Sequence, residues 1–152
     1  MKYLSIFIAV ILMGVGLQSS AHDQGNTIEQ AISYRQSGFR MMAWHFKPMG
    51  AMVQGKSEWD LALFQKHASA VAALAPLPIN GFIADSDMGD THAKSEIWEN
   101  WDDFSEKMQA LVTETAALAQ TASGGDKDAI KDQFIKTAGT CKSCHKKYRE
   151  KM

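Results

Sequence analysis

Close to the end of the chain, two cysteines stand three residues apart with a histidine directly after them: Cys141-Lys142-Ser143-Cys144-His145. Two thiols one helical turn apart can each add to a vinyl group of the same haem and form two thioethers. The next residue then offers an imidazole nitrogen to the iron as its proximal axial ligand. Three other chemistries use cysteines at this spacing, and each lacks something here. A disulfide would close a very small loop and stabilise little through chain entropy. A thioredoxin-like redox pair belongs at a helix start beside a sheet. A structural zinc site usually takes four ligands, and the sequence has no second clustered pair, only the scattered His67 and His92.

The chemistry of haem attachment also needs a compartment. In bacteria it takes place outside the cytoplasm, and the first residues of this chain suit export. Lys2 supplies a short positive start, Leu4 to Leu17 is almost wholly apolar, and Ser19-Ser20-Ala21 offers the small residues that a signal peptidase reads. The apolar run is short for a membrane span and has no flanking charge on its far side. The expected organisation is therefore a signal peptide over residues 1–21 and a single domain over 22–152 in the periplasm. The formal charge of the whole chain is −1, and loss of Lys2 would make it −2. A near-neutral balance excludes the strongly basic surface that a nucleic-acid partner requires.

A covalently held haem must be positioned by the elements around it, and the sequence offers helices for this. No stretch after residue 25 alternates like a strand. In a first segment Ile28, Ile32, Arg35, Phe39, Met42, Phe46 and Met49 follow steps of four and three, with Thr27 and Gln30 resembling a capping box. Pro48 and Gly50 weaken or kink its end. A second segment begins near Ser57, carries Leu61, Phe64, Ala68, Val71 and Ala75, and is stopped by Pro76 and Pro78. A loop rich in Gly, Pro and Asp spans roughly 76–91. The third segment runs through Ile97, Trp101, Phe104, Met108, Leu111, Thr115 and Leu118 to Gly124-Gly125. Asp126 caps the fourth, in which Ile130, Phe134, Thr137, Cys141, Cys144 and Tyr148 keep the same rhythm. Four helices with one apolar stripe each can bury those stripes only against one another, so an all-α, antiparallel four-helix bundle is expected, with haem near its C-terminal helix. Two features depart from an ordinary core stripe: the cysteine pair, and Arg35, a cation where the pattern calls for an apolar side chain. The residues able to supply a sixth iron ligand are Met41, Met42, Met49, Met52, His45, His67 and Met108, and periodicity does not choose among them.

The haem motif on the last of four helices, followed by Lys147-Tyr148-Arg149, resembles cytochrome c′. So does the first-helix stretch Ala31-Ile32-Ser33-Tyr34-Arg35-Gln36-Ser37-Gly38-Phe39-Arg40-Met41-Met42, in which a Tyr-Arg-Gln run precedes the distal residue. The resemblance covers essentially the whole mature chain. It implies one covalently bound haem c, with Cys141 and Cys144 as the thioether cysteines and His145 as the proximal iron ligand. It implies further that Arg35 pairs with a haem propionate, that Gln36 lies in the cofactor site, and that Arg149 sits beside the proximal pocket. Phe39 takes the place over the distal iron face, where an apolar side chain cannot coordinate and where low-spin relatives carry Met.

A five-coordinate, high-spin iron follows from that resemblance, with small gases such as nitric oxide and carbon monoxide as ligands. So do a ligand-binding protein with no catalytic residues and a homodimer formed through the first two helices, where Trp44 and Trp59 could serve. The alternative is a low-spin class II cytochrome acting as a simple electron carrier, with Lys142, Lys146, Lys147 and Lys151 docking an acidic redox partner. A thiol oxidoreductase would need free, reactive thiols.

Overall fold

The computed structural model describes residues 20–151, so the expected signal sequence lies almost wholly outside the described residues. Five helices and a short 3-10 turn follow in order: α1 Ser20–Val53, α2 Leu61–Leu74, the turn Pro78–Gly81, α3 Glu96–Glu99, α4 Trp101–Gly124 and α5 Lys127–Tyr148. The long helices α1, α2, α4 and α5 make an antiparallel four-helix bundle. The chief packing runs from α1 to α2, from α2 to α4 and from α4 to α5, and the 3-10 turn rests on α1.

Helix ends are set where the sequence places capping chemistry. The Asp60 carboxylate accepts the Leu63 amide at 2.9 Å, and Asp126 accepts from Asp128 and Ala129 at 3.0 and 3.2 Å. Gly125 closes α4 at φ 79°, a left-handed conformation that glycine adopts without a Cβ penalty. Elsewhere the chain departs from the sequence expectation. Helix α1 runs through Thr27, so the helix does not begin there. It also runs past Pro48 to Val53, although proline removes one intrahelical donor. Met49 and Met52, fully or nearly buried just beyond the proline, hold that last turn against the core. The second helix starts at Leu61 rather than Ser57, because Asp60 provides the cap. Asn100 breaks the third segment and leaves α3 as a separate single turn.

The interior has two parts. One lies between all four long helices and includes Met42, Met49, Phe64, Ala68, Leu118, Ile130 and Phe134. Phe46 stacks on Phe134 with centroids 4.4 Å apart, and Trp59 stacks on Phe64 at 5.2 Å. The other lies at the end of the bundle where α4, α5 and the long loop meet, and holds Phe82, Ile97, Phe104, Met108 and Tyr148. Phe39 and the two cysteines are the side chains that tie the parts to the site: Phe39 packs on both, Cys141 on the first and Cys144 on the second.

Candidate haem site

Helix α5 presents the motif. Cys141 and Cys144 are unpaired thiols, both half-buried, one turn apart on the inward stripe. His145 follows on the exposed side, three residues before the helix ends. A groove of about 540 Å³ opens along this face, lined by Ala138, Cys141, Lys142, His145, Lys146 and Arg149 among others. The donor set therefore fits a haem: two thiols one helical turn apart, an imidazole next to them, and an open groove lined by Cys141 and His145.

The electrostatics agree. Burial pushes both thiols up, Cys144 to about 11, so they are protonated at neutral pH. A dithiol enzyme works through a thiolate, usually with a lowered pKa, and this pair lacks that property. Desolvation, and then the charge of Arg149, lower the pKa of His145, which favours the neutral imidazole that a metal requires.

The end of α5 is fixed by groups from elsewhere in the chain. The Tyr148 hydroxyl donates to Asp103 Oδ2 at 2.5 Å, and Lys147 Nζ donates to the same oxygen at 2.9 Å. The buried Tyr148 ring meets Phe104 edge-on. Beyond it, the Lys94 amide donates to the Tyr148 carbonyl and the Glu150 amide to the His92 carbonyl, at 3.1 and 2.8 Å. These bonds frame the Ala93–Arg149 bridge and tie the long loop to the exit of the haem helix.

The same loop is held at its other side by Arg35. This arginine is only 2 % exposed, so it does not reach for solvent. Its Nη1 donates to the Gly81 carbonyl at 2.8 Å and to Ser86 Oγ at 2.7 Å. Its Nη2 donates to the Ser86 carbonyl at 2.6 Å and to Thr91 Oγ1 at 3.0 Å. The guanidinium lies 4.6 Å from the Phe82 ring centroid and 5.6 Å from that of Trp98. Burial lowers its pKa and nearby Asp87 opposes that. Gly81 must be glycine for this contact, since a Cβ there would stand 2.6 Å from the Ala31 carbonyl and 2.8 Å from Arg35 Cβ. Gln36 donates to the Asp90 carbonyl at 2.7 Å and so pins the loop a second time. Phe39, one turn after Arg35, is half-buried and meets Phe82 edge-on at 6.3 Å.

The side chains that could supply a sixth ligand separate in the fold. Met42, Met49 and Met52 are buried in the first part of the core, and Met108 in the second beside Cys144 and Phe39. Met41 is exposed, and His45 and His67 contact each other. Asp103, Ser86, Thr91 and Trp98 are structural partners of the site that the sequence did not single out. Only Trp98 had any local signal, as an aromatic residue next to Ile97.

Fold and site together define a helical-bundle protein with a c-type haem attachment near its C-terminus. The comparisons with known proteins make this specific. Residues 30–149 match the family model of cytochrome c′. Cytochrome c′ from Halomonas halodenitrificans is 38 % identical over 127 residues, covering 80 % of this chain and 96 % of that one. The solved structure of cytochrome c prime from Shewanella frigidimarina superposes with a TM-score of 0.80 at 44 % identity, over 82 % of this chain and 97 % of its own. A nitric oxide complex of a single-residue variant of cytochrome c prime from Alcaligenes xylosoxidans superposes at 0.76 with 33 % identity, over 82 % and 97 %. The chain belongs to the cytochrome c′ family, and its cofactor is one covalently bound haem c.

Proposed function

We propose that this protein is a periplasmic gas-binding haem protein whose iron keeps one axial position for nitric oxide or carbon monoxide. Cys141 and Cys144 carry the thioethers, and His145 supplies the proximal nitrogen. The observation that carries the reading is Phe39. It is an apolar ring, wedged between both parts of the core and facing Phe82, at the place that the family resemblance assigns to the distal side. Phenyl carbons cannot ligate iron, so the ring excludes water and larger ligands without filling the coordination position. The nitric oxide complex of the Alcaligenes xylosoxidans relative supports the same ligand class. When bound, the haem supplies an iron centre able to take a diatomic gas.

Arg35 contributes a buried positive charge with no carboxylate among its hydrogen-bond partners, which suits a nearby propionate, while Gln36 keeps the adjoining loop in place. Arg149 lines the groove beside His145. Tyr34, Met41 and Trp44 on α1 and Leu63 on α2 are exposed, which supports a homodimer through these helices. Trp59 does not serve there, because it stacks on Phe64.

A second reading, electron transfer with an acidic partner, is favoured by the exposed Lys142, Lys146 and Lys151 around the groove. Phe39→Met tests which reading is primary. Methionine fits the helix and brings a thioether to the same position. The variant should turn low-spin and bind carbon monoxide more weakly than the wild type. An unchanged spectrum and affinity would remove Phe39 from the distal face.

A further inference from the structure

Away from the haem motif, two of the chain's five histidines meet across a helix pair. His45 on α1 and His67 on α2 face each other with their Nδ1 atoms 2.9 Å apart. The ring centroids stand 5.2 Å apart, about the nitrogen separation plus the two ring radii, so the nitrogens point at one another. Such a pair shares one proton: one Nδ1 donates and the other accepts. Each ring is half-buried and rests on an anchored frame. Met42 and Met49, three residues before and four after His45, are buried, as are Phe64, Ala68 and Val71 around His67.

We propose that His45 and His67 form a bidentate imidazole site for a divalent late transition metal, copper(II) most tightly, that clamps α1 to α2. Metal–nitrogen bonds of about 2.0–2.1 Å put two nitrogens about 2.9 Å apart at right-angle positions and about 3.3 Å apart at tetrahedral ones. The observed separation is that of a hydrogen bond and equals the right-angle spacing of a tetragonal ion. Because the nitrogens point at one another, both rings must turn off the line between them to aim their lone pairs at one ion. Binding replaces the shared proton. That proton moves through solvent to Nε2 of the same ring, so two neutral imidazoles take the ion with no net proton release.

The donor set also selects the metal. Among the described residues no group of three or more His, Cys, Asp or Glu side chains converges, so water completes the coordination. Two nitrogens without carboxylates do not suit magnesium or calcium. With so few donors, the order of divalent affinities places copper above nickel and zinc.

Copper(II) titrated into the haem-loaded protein tests the site, followed by calorimetry, by the copper electron paramagnetic resonance signal and by the thermal midpoint. One ion should bind per chain, with splitting from two nitrogens and a raised midpoint. His45→Gln and His67→Gln should each weaken binding by at least about 10–100-fold, the loss that follows even from removing a ligand's hydrogen-bond partner. Each should also abolish the rise in midpoint. Circular dichroism establishes that the variants are folded, and His92→Gln should bind as the wild type does. His22 is the first residue of the expected exported chain and is a rival ligand, so His22→Ala is made as well. Loss of binding in His22→Ala with full binding in His45→Gln would overturn the proposal. So would a single-nitrogen signal, or zinc binding more tightly than copper.

Discussion

The two ends of this bundle are held together by different physics. Where the four long helices meet, side chains such as Phe64, Leu118 and Ile130 are wholly buried and make no polar contacts, so stability there comes from burial and close packing. At the haem end, the packing of Phe82, Phe104 and Tyr148 is laced with charge: a buried arginine holds the long loop, and an aspartate holds the end of the haem helix. The first end can be built from helices alone. The second also needs a loop that has little helical propensity and must be tied down residue by residue.

Breaking the apolar end should have the largest effect on stability. Phe64→Ala removes a fully buried ring and should cost about 3–5 kcal/mol in urea denaturation. It should leave the haem spectrum unchanged, because the rings that Phe64 meets are those of Trp59 and Phe134, which are not haem-site residues. Arg35→Leu restores the apolar stripe of α1 but strands the carbonyls of Gly81 and Ser86. A loss of about 2–3 kcal/mol is expected, the scale of one or two unsatisfied buried acceptors. Faster proteolysis within residues 82–95 should accompany it, together with a lower reduction potential if the guanidinium also offsets a propionate. Equal proteolysis in both variants would erase the distinction between the two ends.

Helix capping gives a smaller effect. Asp126→Ala should lower stability by about 1 kcal/mol, since two amides lose their acceptor. The smallest effect is visible only through pH. Hydrogen bonds from Tyr148 and then Lys147 hold the Asp103 carboxylate below its usual range. Its contribution is therefore present above the ordinary aspartate pKa and is lost as pH falls through the lower folded-state value. Acid titrations of stability should be less steep in Asp103→Asn, and identical curves would mean that the network does not anchor α5.

The same contrast explains what could be read from the sequence. The long helices and most of the core follow from steps of three and four, because each helix buries one stripe. The haem motif was legible because thioether chemistry fixes its spacing on a single helix. The partners of Arg35 were not legible: they lie 46 to 56 residues away, and two of the four are backbone carbonyls, which leave no mark in a sequence. Its inward position was readable, as a cation in an apolar register. Pro48 misleads because local propensity opposes the helix while tertiary burial of Met49 and Met52 sustains it. Asn100 shows the reverse, a break within a continuous apolar rhythm. The meeting of His45 and His67 depends on the relative rotation of two helices, which no single helix encodes.

The most direct measurement is the absorption spectrum of the purified protein, ferric and ferrous, before and after carbon monoxide. A high-spin, five-coordinate spectrum in both resting states, shifting to a six-coordinate or five-coordinate gas adduct, is the expected result. A low-spin resting spectrum that carbon monoxide leaves unchanged would contradict the open distal position, because a protein side chain such as Met108 would then hold the site that Phe39 leaves free.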